Sequence, residues 1–410
     1  MISSRLKLKG DKVIWIVVFL LSLFSFLSIY SAGSNLQWTY GRISAFALLL
    51  RHAMHVLMGW LIIWMLHNIH YRYFAPVSVI LLVPAVILLL YTLSQGYTIG
   101  NANASRWIQI PMLGITIQSS VIAGLILMVY LARTLSKREN PAEWTFKMVV
   151  WQILAPIFLV CGLIFPANFS TAAIIFAQAI LIMIIAPFPN KYVFYTIGAI
   201  VAGLAFFIAA VVTFPDLMPN RVDTWKARIE NFFDGNADNN YQVERSKMAI
   251  ANGGLLGTGP GKSTQKYFLP QSSSDFIFSI ITEEYGFVGA VSVLFLYFLL
   301  LVRFLLVATR AKSLFGSLLV VAAGFGIIIQ ALINMGVAVN LLPVTGQTLP
   351  LLSAGGSSIW TICAAIGIVQ SVSRFSSEDL DKADKISDDN AAISNQTTQM
   401  HEQEANEIYA

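Results

Sequence analysis

Ten apolar stretches of roughly 20 residues, separated by short polar connections, occupy most of the first 375 positions. A helix needs about 20 such residues to cross about 30 Å of hydrocarbon. The pattern predicts spans at 13–31, 46–67, 75–95, 116–134, 148–166, 170–187, 191–213, 283–307, 314–337 and 356–373. Two regions break this rhythm: a polar segment at 214–282, and an acidic run from about Ser376 to Ala410. Composition agrees, with 57% hydrophobic residues, 11% charged and a mean hydropathy of +0.70. The expected fold is therefore all-α, a polytopic membrane protein with about ten transmembrane helices.

Basic residues orient the bundle. Arg5, Lys7, Lys9 and Lys12 precede the first span, Arg133, Lys137, Arg138 and Lys147 bracket the fourth-to-fifth connection, and Arg310 and Lys312 follow the eighth. The positive-inside rule makes all of them cytoplasmic. Both termini are then inside, and 214–282 becomes a large extracytoplasmic loop between the seventh and eighth spans. No small-residue cleavage site follows the first apolar run, which reads as a retained span. The expected organisation is a membrane domain over 1–375 and a tail over 376–410. The tail holds nine of the 21 acids with only Lys382 and Lys385 as bases, so it reads as a disordered cytoplasmic extension, either simply solvated or a docking segment.

Cys161 and Cys363 lie inside predicted spans and read as small apolar residues. The spacing of His52, His55, His67, His70 and His401 assembles no four-ligand zinc site. No nucleic-acid partner is expected.

The acids narrow quickly. Twelve remain outside the tail, and Asp11, Glu139 and Glu143 face the cytoplasm in this topology. Asp216, Asp223, Glu230, Asp234, Asp238 and Glu244 sit in a stretch rich in Asn, Lys and Arg that reads as a solvated loop. Asp275, Glu283 and Glu284 border hydrocarbon. Glu283 and Glu284 are helical neighbours pointing about 100° apart, so they form no facing pair; one of them is expected to pair with a cation or to cap the helix start. Asp275 has no local basic neighbour closer than Lys266. Partial desolvation suits a carboxylate to accept protons near neutral pH. A plain helix N-cap before Phe276-Ile277-Phe278 is an equally good reading of the same residue.

The run Gly257-Thr258-Gly259-Pro260-Gly261-Lys262-Ser263 looks like a nucleotide phosphate loop but fails the spacing, because the first glycine would have to stand at Leu256. It reads as a flexible turn, or as one whose amides and Lys262 approach a lipid pyrophosphate.

Several motifs in order carry a resemblance. They are Tyr241-Gln242, Ala249-Ile250-Ala251-Asn252-Gly253-Gly254, Gly257-Thr258-Gly259, Leu269-Pro270, Ser274-Asp275-Phe276-Ile277-Phe278 and Glu283-Glu284-Tyr285-Gly286-Phe287-Val288-Gly289. A second block comprises Gln330, Asn334, Leu342-Pro343-Val344-Thr345-Gly346 and the run from Leu349 to Ser358; a third is Arg106-Trp107-Ile108 with Gln118. The chain resembles the SEDS proteins, the FtsW/RodA family of cell-wall polymerases, over its whole span region. Two departures stand out. Val121 and Gly124 occupy the region where the family usually carries a Glu and a Lys, and Asn168 stands where an Asp is usual.

The resemblance implies an inverting glycosyltransferase that polymerises lipid II, with undecaprenyl pyrophosphate as leaving group. Such a reaction needs mainly one base, plus cations for the departing charge. It implies Asp275 as general base, with Arg106, Lys262 and Lys266 as candidates for the pyrophosphate. Gln242, Ser274, Thr345, Ser353 and Ser357 match motif positions that hold sugar hydroxyls or order the loops. Gly257, Gly259, Pro270, Glu284, Gly286, Pro343, Gly355 and Gly356 match structural positions, the last two permitting close packing at the tenth span. No cofactor is certain; a divalent cation (Mg2+ or Mn2+) is compatible with the chemistry, though the sequence shows no dedicated metal cage.

The implied partners are lipid II, a class B penicillin-binding protein docked on the eighth and ninth spans, and other divisome proteins. The implied place is the inner membrane at the division septum, since Thr345-Gly346-Gln347-Thr348-Leu349-Pro350 and the acidic tail resemble the division type more than the elongation type. A lipid II flippase or other transporter is the rival reading. Transporters tend to place acids near the membrane midplane, whereas spans one to seven contain no Asp or Glu.

Overall fold

The computed structural model describes residues 9–40, 45–95, 107–110, 115–213, 241–269 and 271–376. Helices fall on all ten expected spans. They are α1 (Lys12–Tyr40), α2 (Ala45–His67), α3 (Phe74–Gln95), α4 (Ser119–Leu135), α5 (Phe146–Ile164), α6 (Phe169–Ile185) and α7 (Asn190–Thr213), then α9 (Ile277–Arg310), α10 (Leu314–Ala338) and α11 (Ser357–Ser376). A polar helix, α8 (Tyr241–Gly253), lies between α7 and α9. The tail from 377 onward and loop residues 214–240 lie outside the described residues, as do Arg106 and Pro270.

Two expected span boundaries are corrected. The fourth span was drawn from 116, but Ile115–Ile117 forms β2 of a short antiparallel hairpin with β1 (Ile108–Ile110), and α4 starts at Ser119. Alternating β-branched residues favour the strand. The eighth span was drawn from 283, but α9 begins at Ile277 and breaks at Gly286 (φ 66°, ψ −164°). Glu284, expected at a helix start, therefore lies about two turns inside the first half of α9.

α10 forms the centre of the bundle, packing on α9, α4 and α6. Small residues permit this close approach, the usual device where lipid offers no hydrophobic drive between helices. Gly324 is one: a Cβ there would stand 2.7 Å from the Phe304 ring of α9. At one end of the bundle Asp11 caps α1, accepting from Val13 N (2.9 Å) and Ile14 N (3.1 Å), and takes the Arg303 Nε of α9 at 3.0 Å. Gln370 of α11 brackets the Asp11 backbone with two 2.9 Å bonds. Asp275 lies at the opposite end of α9 from Arg303.

The break in α9 is closed by the glycine turn that precedes it. An unbroken helix would bond Phe287 N to Glu283 O and Val288 N to Glu284 O. Instead Phe287 N donates to Gly254 O (2.9 Å) and Val288 N to Leu255 O (3.3 Å), while Glu283 O accepts from Thr258 N (2.9 Å) and Glu284 O from Gly259 N (3.0 Å). The turn thus replaces both missing rungs and leaves none of these four backbone groups orphaned. Such contact requires glycine on both sides: a Cβ at Gly257 would collide with Glu284 O, and one at Gly286 with Leu255 O.

Candidate active site

Asp275 ends a tight turn. Gln271 takes a left-handed backbone (φ 57°), and its carbonyl accepts from Ser274 N (3.0 Å) and Phe276 N (3.4 Å). The helix N-cap position is Phe276 and carries no side-chain cap bond. Three consecutive carbonyls of the turn are then held by the second motif block. Ala354 N donates to Ser273 O (2.8 Å), Ser353 Oγ to Ser274 O (2.6 Å) and Asn334 Nδ2 to Asp275 O (2.7 Å). The half-buried carboxylate faces the loop after α10, where a Cβ at Gly346 (φ 69°) would stand 3.6 Å from Asp275 Oδ2.

That loop is anchored in turn. Asn334 Nδ2 also donates to Gln347 O (2.7 Å), Gln347 Nε2 to Thr171 Oγ1 (2.9 Å), and Gln330 Nε2 to Thr348 O (2.8 Å). Ser353 Oγ additionally accepts from Leu349 N (2.7 Å). At the start of α11 Ser357 Oγ accepts from Gln118 N (3.1 Å), joining α11 to the hairpin and α4. Beside the loop lies a cavity of about 80 Å³, lined by Val121 and Gly124 of α4 with Thr171, Gln178, Gln330 and Gln347. Three amides supply much of the polarity there, and Ile175 fills the space beside Gly124, where a Cβ would meet its Cδ1 at 2.7 Å.

A second cluster sits about 12 Å further along α9, at 1.5 Å per residue. Glu283 and Glu284 are fully buried. Glu283 accepts from Thr264 Oγ1 (2.9 Å), Thr264 N (3.2 Å), Gln265 N (3.2 Å), Asn252 Nδ2 (3.5 Å) and the Ser263 hydroxyl. Glu284 accepts from Ser263 N (3.3 Å) and the Ser31 hydroxyl of α1. These carboxylates organise the segment between the glycine turn and Asp275.

The sequence-derived candidates divide between the two clusters. Asp275, Ser274 and Ser353 meet at the first, against Gly346, with Thr345 in the same loop and Ser357 at its far end. Pro343 opens that loop, Gly355 packs on the Ser358 side chain, and Gly356 turns the chain (φ 46°) into α11. Gln242 lies in the first turn of α8, one turn before Ser246, whose Oγ meets Ser279 Oγ of α9 at 2.5 Å. Gly257, Gly259, Glu284 and Gly286 belong to the second cluster. The two lysines are placed differently. Lys266 is 3% exposed, and its Nζ donates to Gly261 O at 2.7 Å, so it staples the turn from beneath instead of facing a phosphate. Lys262 is exposed and folds back along Gly259. Neither glutamate caps the start of α9. Asn334 is a residue that sequence reasoning left without a role; two amides one turn apart, Gln330 and Asn334, within an apolar span were the available signal.

A bundle of ten apolar helices, with a preorganised carboxylate at one end and a broken helix beneath it, defines a multi-pass membrane protein with an end-of-bundle polar site. The FtsW/RodA/SpoVE pattern, described as "Cell cycle protein", matches residues 11–378, and the chain belongs to that family. It is 31% identical over 382 residues to a probable peptidoglycan glycosyltransferase FtsW of Enterococcus hirae, covering 89% of this chain and 93% of the relative. Stage V sporulation protein E of Bacillus subtilis (strain 168) is 30% identical over 373 residues, covering 90% and 98%. The fold matches a chain from a peptidoglycan synthase complex studied for structural coordination of polymerization and crosslinking (TM-score 0.70, 24% identity, 90% and 98% covered). It also matches the rod shape determining protein RodA of Thermus thermophilus (TM-score 0.63, 23% identity, 89% and 97% covered).

Proposed function

We propose that this protein is a peptidoglycan glycosyltransferase that polymerises lipid II into glycan strands on the outer face of the inner membrane, in septal cell-wall synthesis. The activity follows from family membership and from relatives named as peptidoglycan glycosyltransferases FtsW. The observation that carries the mechanism is the restraint on Asp275, whose turn has three consecutive carbonyls fixed by α10 and the loop after it. A base held this firmly avoids reorganisation at the moment of reaction.

In this reading the Asp275 carboxylate takes the proton of a sugar 4-hydroxyl as that oxygen attacks the anomeric carbon of a second disaccharide. The bond from that carbon to the pyrophosphate breaks with inversion, and the electron pair leaves on undecaprenyl pyrophosphate. Arg106 and Lys262 are the candidate cations for the departing charge. Gln242, Thr345 and Ser357 line or order the approach. A divalent ion would serve the same charge, but no group of three or more His, Cys, Asp or Glu is gathered among the described residues, so no step is assigned to one.

The transporter reading loses ground at the break in α9. A discontinuous helix with buried acids is a transporter-like feature, yet the Glu283 carboxylate is filled by donors of the adjacent loop. The break itself is bridged rung for rung.

For the partner, a class B penicillin-binding protein is proposed on the eighth and ninth spans. α9 presents Leu294, Phe295, Phe298 and Leu305 outward, and α10 adds Leu332. Both termini are proposed to be cytoplasmic, with the 376–410 tail available to other divisome proteins.

The test is polymerisation of labelled lipid II by purified protein. Asp275→Asn is expected to lower the rate by about 10²–10⁴, the usual contribution of a general base. Normal polymer from that variant would remove the base assignment, and lipid flipping without polymer by the wild type would favour transport.

A further inference from the structure

Arg245 of α8 holds its guanidinium between two aromatic rings, 5.0 Å from the Tyr241 centroid and 5.0 Å from that of Phe268. Tyr241 stands one turn earlier on the same helix, and Phe268 belongs to the segment leading to Asp275. Stacking covers the faces of the guanidinium and leaves its in-plane N–H edge open. Nη1 meets Met248 Sδ at 3.8 Å, and no carboxylate among the described residues pairs with the group. Both rings are about half exposed, at 44% and 52%, so the rim is accessible from outside the bundle. An arginine that merely snorkels would keep its rotamer freedom. This one is held by two rings at once, 5.0 Å from each centroid, a restraint that suits an external anion.

Its position selects the anion. Arg245 adjoins Ser246, whose hydroxyl meets Ser279 one turn below Asp275. Phe268 adjoins Leu269, which packs in one cluster with Phe276, the neighbour of Asp275. Arg245 and Phe268 thus belong to the two segments that pack on the start of α9, next to the turn that carries Asp275.

We propose that Arg245 docks the pyrophosphate of the lipid-linked donor, holding the leaving group on the face of the anomeric carbon opposite the hydroxyl that Asp275 deprotonates. The proposal rests on the polymerase reading. As the bond from the anomeric carbon to the phosphate oxygen breaks and the new glycosidic bond forms, the electron pair goes to that oxygen and the hydroxyl proton to Asp275. The guanidinium edge offers paired N–H donors to the phosphate, a geometry that lysine cannot copy.

The test uses full-length protein in nanodiscs of neutral phosphatidylcholine, measuring KM and kcat for lipid II and inhibition by undecaprenyl pyrophosphate. Arg245→Gln is expected to raise KM and the inhibition constant together by about tenfold, with kcat within about twofold. Arg245→Lys is expected to raise them by about threefold, and Lys247→Gln on the same helix to change neither. Binding of undecaprenyl pyrophosphate is also measured in an Asp275→Asn background, where turnover plays no part. A loss of about tenfold on adding Arg245→Gln there supports docking independently of whether Asp275 is the base. Unchanged KM and inhibition in a variant of normal melting temperature would overturn the proposal. So would a loss confined to nanodiscs containing anionic phosphatidylglycerol, which would assign the group to bilayer headgroups. A lowered melting temperature in both arginine variants with unchanged KM would reduce Arg245 to a structural residue.

Discussion

The side-chain amide of Asn334 donates to two carbonyls at once, 2.7 Å to Asp275 and 2.7 Å to Gln347. Both of its hydrogens are used, so one buried residue of α10 fixes the carboxylate turn and the loop facing it. Asn334→Ala is expected to lower kcat by about 100-fold, the cost of misplacing a reacting group by about 1 Å, while lipid II binding persists. Asn334→Asp should not rescue it, since an ionised carboxylate donates nothing. Single-turnover polymerisation alongside binding measures both effects, and a wild-type kcat in Asn334→Ala would refute the positioning role.

The space around Asp275 is limited by Gly346. Asp275→Glu pushes the carboxylate toward that backbone and is expected to retain only about a hundredth to a tenth of the rate, reflecting the sensitivity of proton transfer to position. Gly346→Ala carries a left-handed backbone cost of about 1–2 kcal/mol and a new methyl 3.6 Å from the Asp275 oxygen. It is expected to slow turnover by at least about tenfold. Rates that match the wild type in both variants would show that the base is placed differently.

Glycines on this chain differ in what they tolerate. Gly257→Ala sets a Cβ against the Glu284 carbonyl, and Gly286→Ala sets one against Leu255 O, so each is expected to lose about 3 kcal/mol or more, seen as a large fall in melting temperature or in folded yield. Gly162→Ala, with nothing within 4 Å in the last turn of α5, is expected to be neutral or to stabilise by up to about 1 kcal/mol. Equal melting temperatures for Gly257→Ala and Gly162→Ala would contradict the packing at the break.

Glu283 is surrounded by donors. Glu283→Gln places an amide N–H₂ among groups that are themselves hydrogen donors, and is expected to destabilise by about 1.5–3 kcal/mol. Melting of the variant in detergent reads this directly. Lys266→Met removes the staple to Gly261 O and should act in the same direction through the same segment.

The spans were legible because hydrocarbon demands long apolar runs whatever the tertiary arrangement. The start of α9 was not. Residues 276–282, which include Ser279 and Thr282, are fully enclosed by protein, and the two acids that follow them, Glu283 and Glu284, read in sequence as the edge of the hydrocarbon although protein encloses them too. Asp275 stood out by elimination among the acids, whereas the N-cap position was not legible, since the fold puts Phe276 there. Lys266 was misread because a cation beside a glycine turn looks the same from sequence whether it points out or in. Arg245 offered no signal either, since its two rings come from positions 4 before and 23 after it, and only the fold brings them together.

The backbone exchange at Gly286 gives the molecule a mechanical property. Residues 254–259 supply the missing rungs of α9, so they have no freedom of their own; lifting them away would strand four polar groups, at roughly several kcal/mol each. The turn, the first half of α9 and the carboxylate at its tip therefore travel as one rigid arm. A load that tilts α9 at its Arg303 end falls, at the other end, on the three bonds that tie the Asp275 turn to α10 and the loop after it.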